Sequence, residues 1–403
     1  MKIYGLTPYC LEKSLVFNVK TFNNIAQIGL DQFGTDYSVS PEADNADALL
    51  LRSHKLQPEE ITANVKAIGR AGAGTNNVPV DYCSEQGVVV FNAPGANANA
   101  VKELIMAGLL LGSRGIVSGI AYVDGLGSMD DADAMNKLLE KEKKNFKGSE
   151  LQGKTLGVVG LGAIGSQVAN MALMMGMQVV GYDPAISIEA AWRLSSDVKK
   201  MDSLEALLAK SDFITLHLPV LDATRNLINA ETLKSIKKGC KLLNFARSEI
   251  VDGDAVIDAL DAGLLGAYIA DFPKPGMIGR KDMILMPHIG ASTDEAEENC
   301  AVMAANQLQD YLENGNIINS VNFPHAVLER TTGYRLSVSN KNVTNMLGSI
   351  TSILAEHNIN VIDLLNKSRG DIAYNLIDVD QSPSAAVIEQ LSKIDGVIGV
   401  RLL

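Results

Sequence analysis

The sequence predicts an α/β protein with a doubly wound parallel sheet in the middle of the chain. A second, flavodoxin-like sheet domain is expected from the flanking segments, and a small ferredoxin-like module from the tail. Three observations lead there. Before residue 100, β-branched and apolar runs end repeatedly in loops marked by Gly or Pro. Residues 154–184, KTLGVVGLGAIGSQVANMALMMGMQVVGYDP, form a full strand–turn–helix–strand unit. The tail has the order β-α-β-β-α-β, which is the ferredoxin-like arrangement.

Taken in order, KIYGL (2–6) reads as a strand, as do the runs within 47–53, 65–72 and 88–95, each followed by a loop. Such runs suit buried strands of a parallel sheet, with ligand loops at their carboxyl ends. NAVKELIMAGLLLGSRGIVSGI (99–120) has helical periodicity, and its Ala107, Gly108 and Gly112 permit close packing. The charged stretch DDADAMNKLLEKEKKNFKGSE reads as a solvated helix and loop. Further strands are expected at 212–217, 240–245, 267–270 and 283–286, with helices between them. Residues 290–315 read as a helix with Ser/Thr and acids at its start and glycine after its end. This gives a discontinuous domain from 1–98 and 290–325, a central domain over 99–289, and a third module over 332–403.

Composition narrows the function. The chain has 403 residues, 47% apolar and 20% charged, with a formal charge of -12. That charge argues against duplex DNA or an acidic membrane as partner. The apolar stretches are too short and glycine-rich to span a bilayer, and the amino terminus lacks the apolar core of a secretory signal. Four scattered cysteines without a CxxC pair, and histidines without HxxxH spacing, predict reduced thiols in a cytoplasmic protein and no metal site.

Gly160, Gly162 and Gly165 form GxGxxG between an apolar run and a helix, and Asp183 closes the next strand. That context makes the motif a dinucleotide signature. Gly160 permits the tight turn, Gly162 lets the backbone approach a pyrophosphate, and Gly165 lets helix and sheet pack closely. Unpaired helix N–H groups then hold the phosphate charge. Asp183 accepts from a ribose diol and repels a 2′-phosphate, so NAD is favoured over NADP. Because the motif lies mid-chain, an α/β unit must precede it, and a two-domain cleft follows.

Two strand ends carry reactive side chains. LNFARSEIVD places Arg247 after a strand, flanked by Asn244 and Ser248, where a guanidinium can fork onto a carboxylate. LMPHIGAST places His288 at the start of a glycine-bearing loop, the best catalytic setting among five histidines. An alcohol that gives hydride to nicotinamide must also lose its hydroxyl proton, and imidazole suits that transfer near neutral pH. His217, after another strand, suits the cofactor wall better.

RAGAGTNNVPVDYCSEQGVVVFNAPGANANAVKEL, GVVGLGAIG, HLPVLDATRNLI, NFAR and PHIGAST occur in an order and spacing that resembles the D-2-hydroxyacid dehydrogenases, in particular short phosphoglycerate dehydrogenases with a C-terminal ACT domain. The resemblance implies that Arg247 binds and polarises substrate, that His288 is the acid/base, and that Asp183 takes the adenosine ribose. It also implies that Ala163, Ile164, His217, Leu218 and Pro219 line NAD. The stretch Asn244, Phe245 and Ala246, with Gly290 and Ala291, would complete that wall. Asp271 falls where the family has an aspartate near the nicotinamide amide. The family's catalytic glutamate is replaced by Lys274 before Pro275. The partner of His288 is then Asp271, which we favour, or a later acid such as Glu295 or Glu298, or no carboxylate at all.

In the first domain Arg52, Ser53, His54, Lys55 and Arg70 fall on loops expected to face the cleft, and the resemblance adds Ala71, Gly72 and Asn97 to the substrate set. Several donors suit a second anionic end such as phosphate. The implied reaction is oxidation of 3-phospho-D-glycerate to 3-phosphohydroxypyruvate, the first step toward serine. The alternatives are action on glyoxylate, pyruvate or 2-oxoglutarate, or a non-enzymatic NAD sensor. By resemblance the tail binds an amino-acid effector through Asn340, Asn342 and Asn360, and the helix holding Arg114 makes at least a homodimer, or a tetramer.

Overall fold

The structure, a computed structural model, describes residues 16–403. The strand expected at 2–6 and Cys10 lie outside the described residues. The chain divides into two compact units, one running up to Asn97 and resuming at Glu297–Leu403, the other Ala98–Ala296.

The first unit opens with five parallel strands, β1 (Phe17–Thr21), β2 (Tyr37–Ser40), β3 (Ala48–Leu51), β4 (Ala67–Arg70) and β5 (Val89–Phe91), in the order β2-β1-β3-β4-β5. That is the flavodoxin-like order. Strands β3 and β5 are wholly buried, which explains why their sequences are unbroken apolar runs. β1 alternates buried and half-buried positions and β2 has no buried residue; neither was expected, because FNVKT and YSVS lack that apolar signal. The helix Asp294–Asn314 lays Ala304, Leu308, Tyr311 and Leu312 into the same core as Val19, Leu50 and Phe91.

The second unit holds seven parallel strands. These are β6 (Thr155–Val159), β7 (Gln178–Tyr182), β8 (Lys199–Lys200), β9 (Phe213–Leu216), β10 (Cys240–Asn244), β11 (Leu265–Ala270) and β12 (Met283–Leu285), in the order β12-β11-β10-β9-β6-β7-β8. The order reverses between β6 and β9, the switch point at which doubly wound sheets bind ligands. The two-lysine edge strand β8 is too short to be read from sequence, and its charge blunts the sheet edge.

The helical stretch expected from 99 to 120 is two helices, Ala98–Ser113 and Ile116–Asp124, bent by 71°. In the first, Gly108 fits against Phe245 and Gly112 against Ile269; added Cβ atoms there would come within 3.1 and 3.0 Å. The break is also steric. Residue 146 crosses so close that a Cβ on Gly115 would lie 2.9 Å from the Phe146 Cα. Arg114 therefore sits in the bend and not within a helix, which corrects the expectation for it. Among the described residues no single helix is long and apolar enough to cross a membrane.

The tail carries β13 (Tyr334–Lys341), β14 (Val361–Arg369), β15 (Ile372–Val379) and β16 (Val397–Leu402), antiparallel in the order β14-β15-β13-β16. Helices Met346–Glu356 and Ala385–Ser392 cover one face through Ile350, Leu354, Val387 and Leu391. Tyr374 and Leu376, on the other face, join the core of the first-unit sheet. A helix leaves its last four carbonyls without intrahelical partners. Here arginines of the tail and its linker meet those of Asp294–Asn314: Arg401 donates to Tyr311 O and Leu312 O, Arg330 to Glu313 O, and Arg335 to Asn314 O. Arg335 also forms an ion pair with Asp378, and both side chains are fully buried.

Candidate functional site

In the second unit the glycine loop follows β6 at the switch point. Gly160 has φ +88°, and a Cβ there would lie 2.5 Å from His217 O, so only glycine fits. A Cβ on Gly165 would lie 1.9 Å from Gly160 O. A Cβ on Gly162 would meet nothing within 4 Å, which leaves open space above that turn. The helix Ala163–Met174 starts at Gly162 with no side-chain cap, so its first N–H groups are offered to an anion. Asp183 receives Leu161 N (2.8 Å) on one oxygen and Ala185 N (2.9 Å) on the other, and is half-buried. Those bonds fix it beside the glycine loop, and a carboxylate oxygen can accept more than one hydrogen bond.

His217 lies behind that loop. Its Nε2 is 3.0 Å from Thr215 Oγ1 and its N–H donates to Val159 O (2.8 Å). Burial lowers its pKa to about 3, so the ring is neutral and serves the loop's shape.

After β10 one buried amide builds the next loop. Asn244 Nδ2 donates to Arg247 O (2.9 Å) and Tyr268 Oη (3.4 Å), while its Oδ1 accepts from Ala246 N (3.2 Å). Phe245 turns its ring into the core, so only its backbone is left for a ligand. Arg247 Nη1 donates to Ala246 O (2.7 Å) and the side chain stays half-buried.

Asp271 follows β11 and is 1% exposed. Its main-chain oxygen accepts from His288 N (2.8 Å) and its Oδ2 from Gly290 N (2.9 Å), so one residue grips the His288 loop at two points. His288 has φ +45°, an uncommon backbone state that this double grip holds in place. The expected side-chain pair is a correction: among the described residues no carboxylate hydrogen-bonds the His288 ring. The ring instead lies 4.7 Å from that of Phe272. Glu295 is exposed, and Lys274 lies over Gly253. Among the described residues Asp271 Oδ1 is buried without a partner. Burial raises the Asp271 pKa, against the Gly290 hydrogen bond and the charges of His288 and Arg247, which lower it. Arg247, His288 and Asp271 therefore share one electrostatic neighbourhood.

In the first unit the expected residues fall at the carboxyl ends of β3, β4 and β5. Arg52 pairs with Glu297 (2.5 Å), and Arg70 Nε donates to Arg52 O (3.0 Å). Gly72, at φ +154°, lies under the Arg70 guanidinium, so a Cβ there would come 1.8 Å from Nη1. Among the described residues Asn97 Oδ1 is buried without a partner, and Lys55 is exposed. Two residues missed from sequence hold this loop: Asn23 Oδ1 accepts from Ser53 N (3.2 Å) and His54 N (2.6 Å), and Asn77 Nδ2 donates to Arg52 O (3.1 Å) and His54 O (2.7 Å). The only local hint was asparagine in turn-like TFNN and GTNN.

The pattern of the family described as "D-isomer specific 2-hydroxyacid dehydrogenase, NAD binding domain" matches residues 123–290. The chain is 35% identical over 367 residues to a protein of Haemophilus influenzae named D-3-phosphoglycerate dehydrogenase, covering 87% of this chain and 85% of that one. The chain belongs to the D-isomer specific 2-hydroxyacid dehydrogenase family. It is also 32% identical over 373 residues to the D-3-phosphoglycerate dehydrogenase of Methanocaldococcus jannaschii, covering 90% of this chain and 67% of that one. Its fold is similar to the NAD+-bound 3-phosphoglycerate dehydrogenase of Entamoeba histolytica, with a TM-score of 0.58 and 27% identity over 76% of this chain and 98% of that chain. The cofactor of this dehydrogenase is NAD. The uncapped helix, the open space over Gly162, Asp183 beside the glycine loop and the orphan Asp271 Oδ1 all fit such a ligand.

The dehydrogenase's tail separates its three expected effector residues. Asn340 is 1% exposed; its Nδ2 donates to Lys341 O (2.6 Å) and its Oδ1 accepts from Asn375 (2.8 Å), so its amide belongs to the interior. That corrects its assignment to a ligand. Asn342 bonds Gly370 and Asn360 bonds Asp380, at opposite ends of the hairpin formed by β14 and β15. One module does not bring them together.

Proposed function

We propose that the chain oxidises 3-phospho-D-glycerate to 3-phosphohydroxypyruvate with NAD, the first step toward serine. The observation that carries this reading is the placement of Arg247 and His288 about one buried aspartate, in a chain similar over most of its length to proteins named D-3-phosphoglycerate dehydrogenase. Bound NAD supplies the hydride acceptor. The helix Ala163–Met174 would hold the pyrophosphate on its free N–H groups, Asp183 would accept from the ribose hydroxyls, and Asp271 Oδ1 would accept from the nicotinamide amide. Arg247 forks onto the substrate carboxylate and C2 oxygen, and the His288 ring takes the hydroxyl proton. Asp271 acts on His288 through the backbone grip and through its charge, as a positioning residue. Arg70, Arg52 and Lys55 take the phosphate end, with the Ser53 hydroxyl as a further donor. The intact Arg247 and His288 favour an enzyme over a silent NAD sensor.

The helix Ile116–Asp124 is the proposed dimer contact, since Val117, Ile120 and Val123 are 46, 59 and 52% exposed. The buried, unpaired thiols of Cys83, Cys240 and Cys300 suit the cytoplasm. The tail is proposed as an ACT domain in which Asn342 and Asn360 meet an amino acid only when two modules pair.

Initial rates of NADH oxidation with phosphohydroxypyruvate, pyruvate, glyoxylate and 2-oxoglutarate test the substrate. A kcat/KM at least about tenfold higher for the phosphorylated acid, equivalent to ~1.4 kcal/mol in the transition state, is expected. Preference for an unphosphorylated acid overturns it.

A further inference from the structure

Within the first unit, an acid stands among the cations assigned above to the phosphate end. Glu297 lies near the start of the helix Asp294–Asn314, and its Oε2 meets Arg52 Nη1 at 2.5 Å. That contact uses the donor end of the guanidinium, the part that forks onto an anion. The Arg52 and Glu297 side chains are 36 and 39% exposed, so either can swing into water without disturbing the core.

The pair is not needed to place the Arg52 loop. The Arg52 main-chain oxygen accepts from Arg70 Nε (3.0 Å) and Asn77 Nδ2 (3.1 Å), and Asn23 Oδ1 accepts from Ser53 N (3.2 Å) and His54 N (2.6 Å). With Glu297 gone, those four bonds would still hold the backbone. The charges also act at one place. Burial raises the pKa of the Cys300 thiol, three positions beyond Glu297; Arg70 and Arg52 oppose that rise, and Glu297 adds to it. Glu297 therefore cancels one of two guanidinium charges where a phosphate monoester, at about −1.5 to −2 near pH 7, has to be received. An anion seated here must take Arg52 from a carboxylate and then lie close to it.

We infer that Glu297 is an internal counter-ion of the anion subsite: it occupies Arg52 until the substrate's phosphate displaces it, and so loosens the hold on substrate and product alike. The inference rests on the substrate reading given above and adds to it a residue that sets affinity for the phosphorylated end.

Steady-state kinetics of E297Q in the full-length protein test it, with phosphohydroxypyruvate and with pyruvate, which lacks a second anionic end. Pyruvate is followed as a substrate or as a competitive inhibitor. Glutamine keeps the size of the side chain and removes its charge. The KM for phosphohydroxypyruvate should fall about three- to tenfold, the scale of a half-exposed ion pair plus the repulsion of a dianion. The constant for pyruvate should stay within about twofold, since it has no end to place on Arg52. R52Q should raise the KM for phosphohydroxypyruvate, and E297Q added to R52Q should gain less than E297Q alone, because the two residues act as a pair. An unchanged or higher KM for phosphohydroxypyruvate in E297Q, an equal fall for pyruvate, or an undiminished gain in the R52Q background overturns the inference alone. A parent enzyme that prefers pyruvate to phosphohydroxypyruvate overturns the substrate reading, and this inference with it.

Discussion

Asp271 and Asp378 are equally deep, at 1 and 0% exposure, yet the protein treats them in opposite ways. Asp378, in the antiparallel tail, accepts from Arg335 Nε and Nη2 and from Thr331 N and Oγ1. Burial alone would raise its pKa; the Arg335 and Thr331 bonds outweigh that and lower it. Asp271, at the end of a parallel strand, has one oxygen on Gly290 and the other on nothing among the described residues, and burial wins. A carboxylate that serves the fold is saturated. One left partly unsatisfied in a native interior calls for a ligand or a reaction to explain it.

The largest expected effect lies on the structural side. R335M leaves Asp378 buried without its counter-charge, with only the two Thr331 hydrogen bonds, which should cost ~3–5 kcal/mol in denaturant unfolding. A loss below ~1 kcal/mol would dissolve the contrast. D271N should do the reverse, lowering kcat by at least about tenfold, ~1.4 kcal/mol of barrier. Its unfolding free energy should stay within ~0.5 kcal/mol of the parent or rise. E295Q should leave kcat unchanged; equal activity of both variants would remove Asp271 from the mechanism.

The glycine loop offers the same test without charge. G160A forces a Cβ to 2.5 Å from His217 O at φ +88° and should destabilise by ~1–3 kcal/mol. G162A, whose Cβ meets nothing within 4 Å, should leave the melting temperature alone and raise the KM for NAD. If G162A melts early instead, the open space above that turn is not a ligand's.

The smallest effect is in pH dependence, where the signs differ. Asp378, with a lowered pKa, stabilises above 3.8 and loses that contribution as pH falls through its folded value. His217, lowered from 6.5 to about 3, likewise costs stability as pH falls across that interval. Asp271, raised, contributes below 3.8 and loses this as pH climbs through its folded value. Stability measured from pH 3 to 6.5 should therefore flatten by up to about one proton in H217Q and steepen in D271N.

What the sequence shows is governed by locality. GxGxxG, Asp183 and the strand ends carrying Arg247 and His288 are readable because turn, helix start and strand end are written in adjacent residues. The link between Asp271 and His288 is half-readable: the aspartate stands out at its strand end, but a grip through Gly290 N and a main-chain oxygen leaves no signature in side-chain identity. Arg335 and Asp378 are 43 positions apart and meet only through strand register. The bend at Arg114 depends on a distant backbone, that of Phe146, and no helical periodicity could report it.

The arginines at the end of Asp294–Asn314 make the tail something other than an appendage. A chain stopped ahead of Tyr334 would keep both parallel sheets but strip three of four terminal carbonyls of their guanidinium donors and uncover the apolar seat of Tyr374 and Leu376. The tail finishes a helix that begins in one sheet's connections and ends in the other's. Its removal would be felt as an unravelling from that end inward, before any effector could matter.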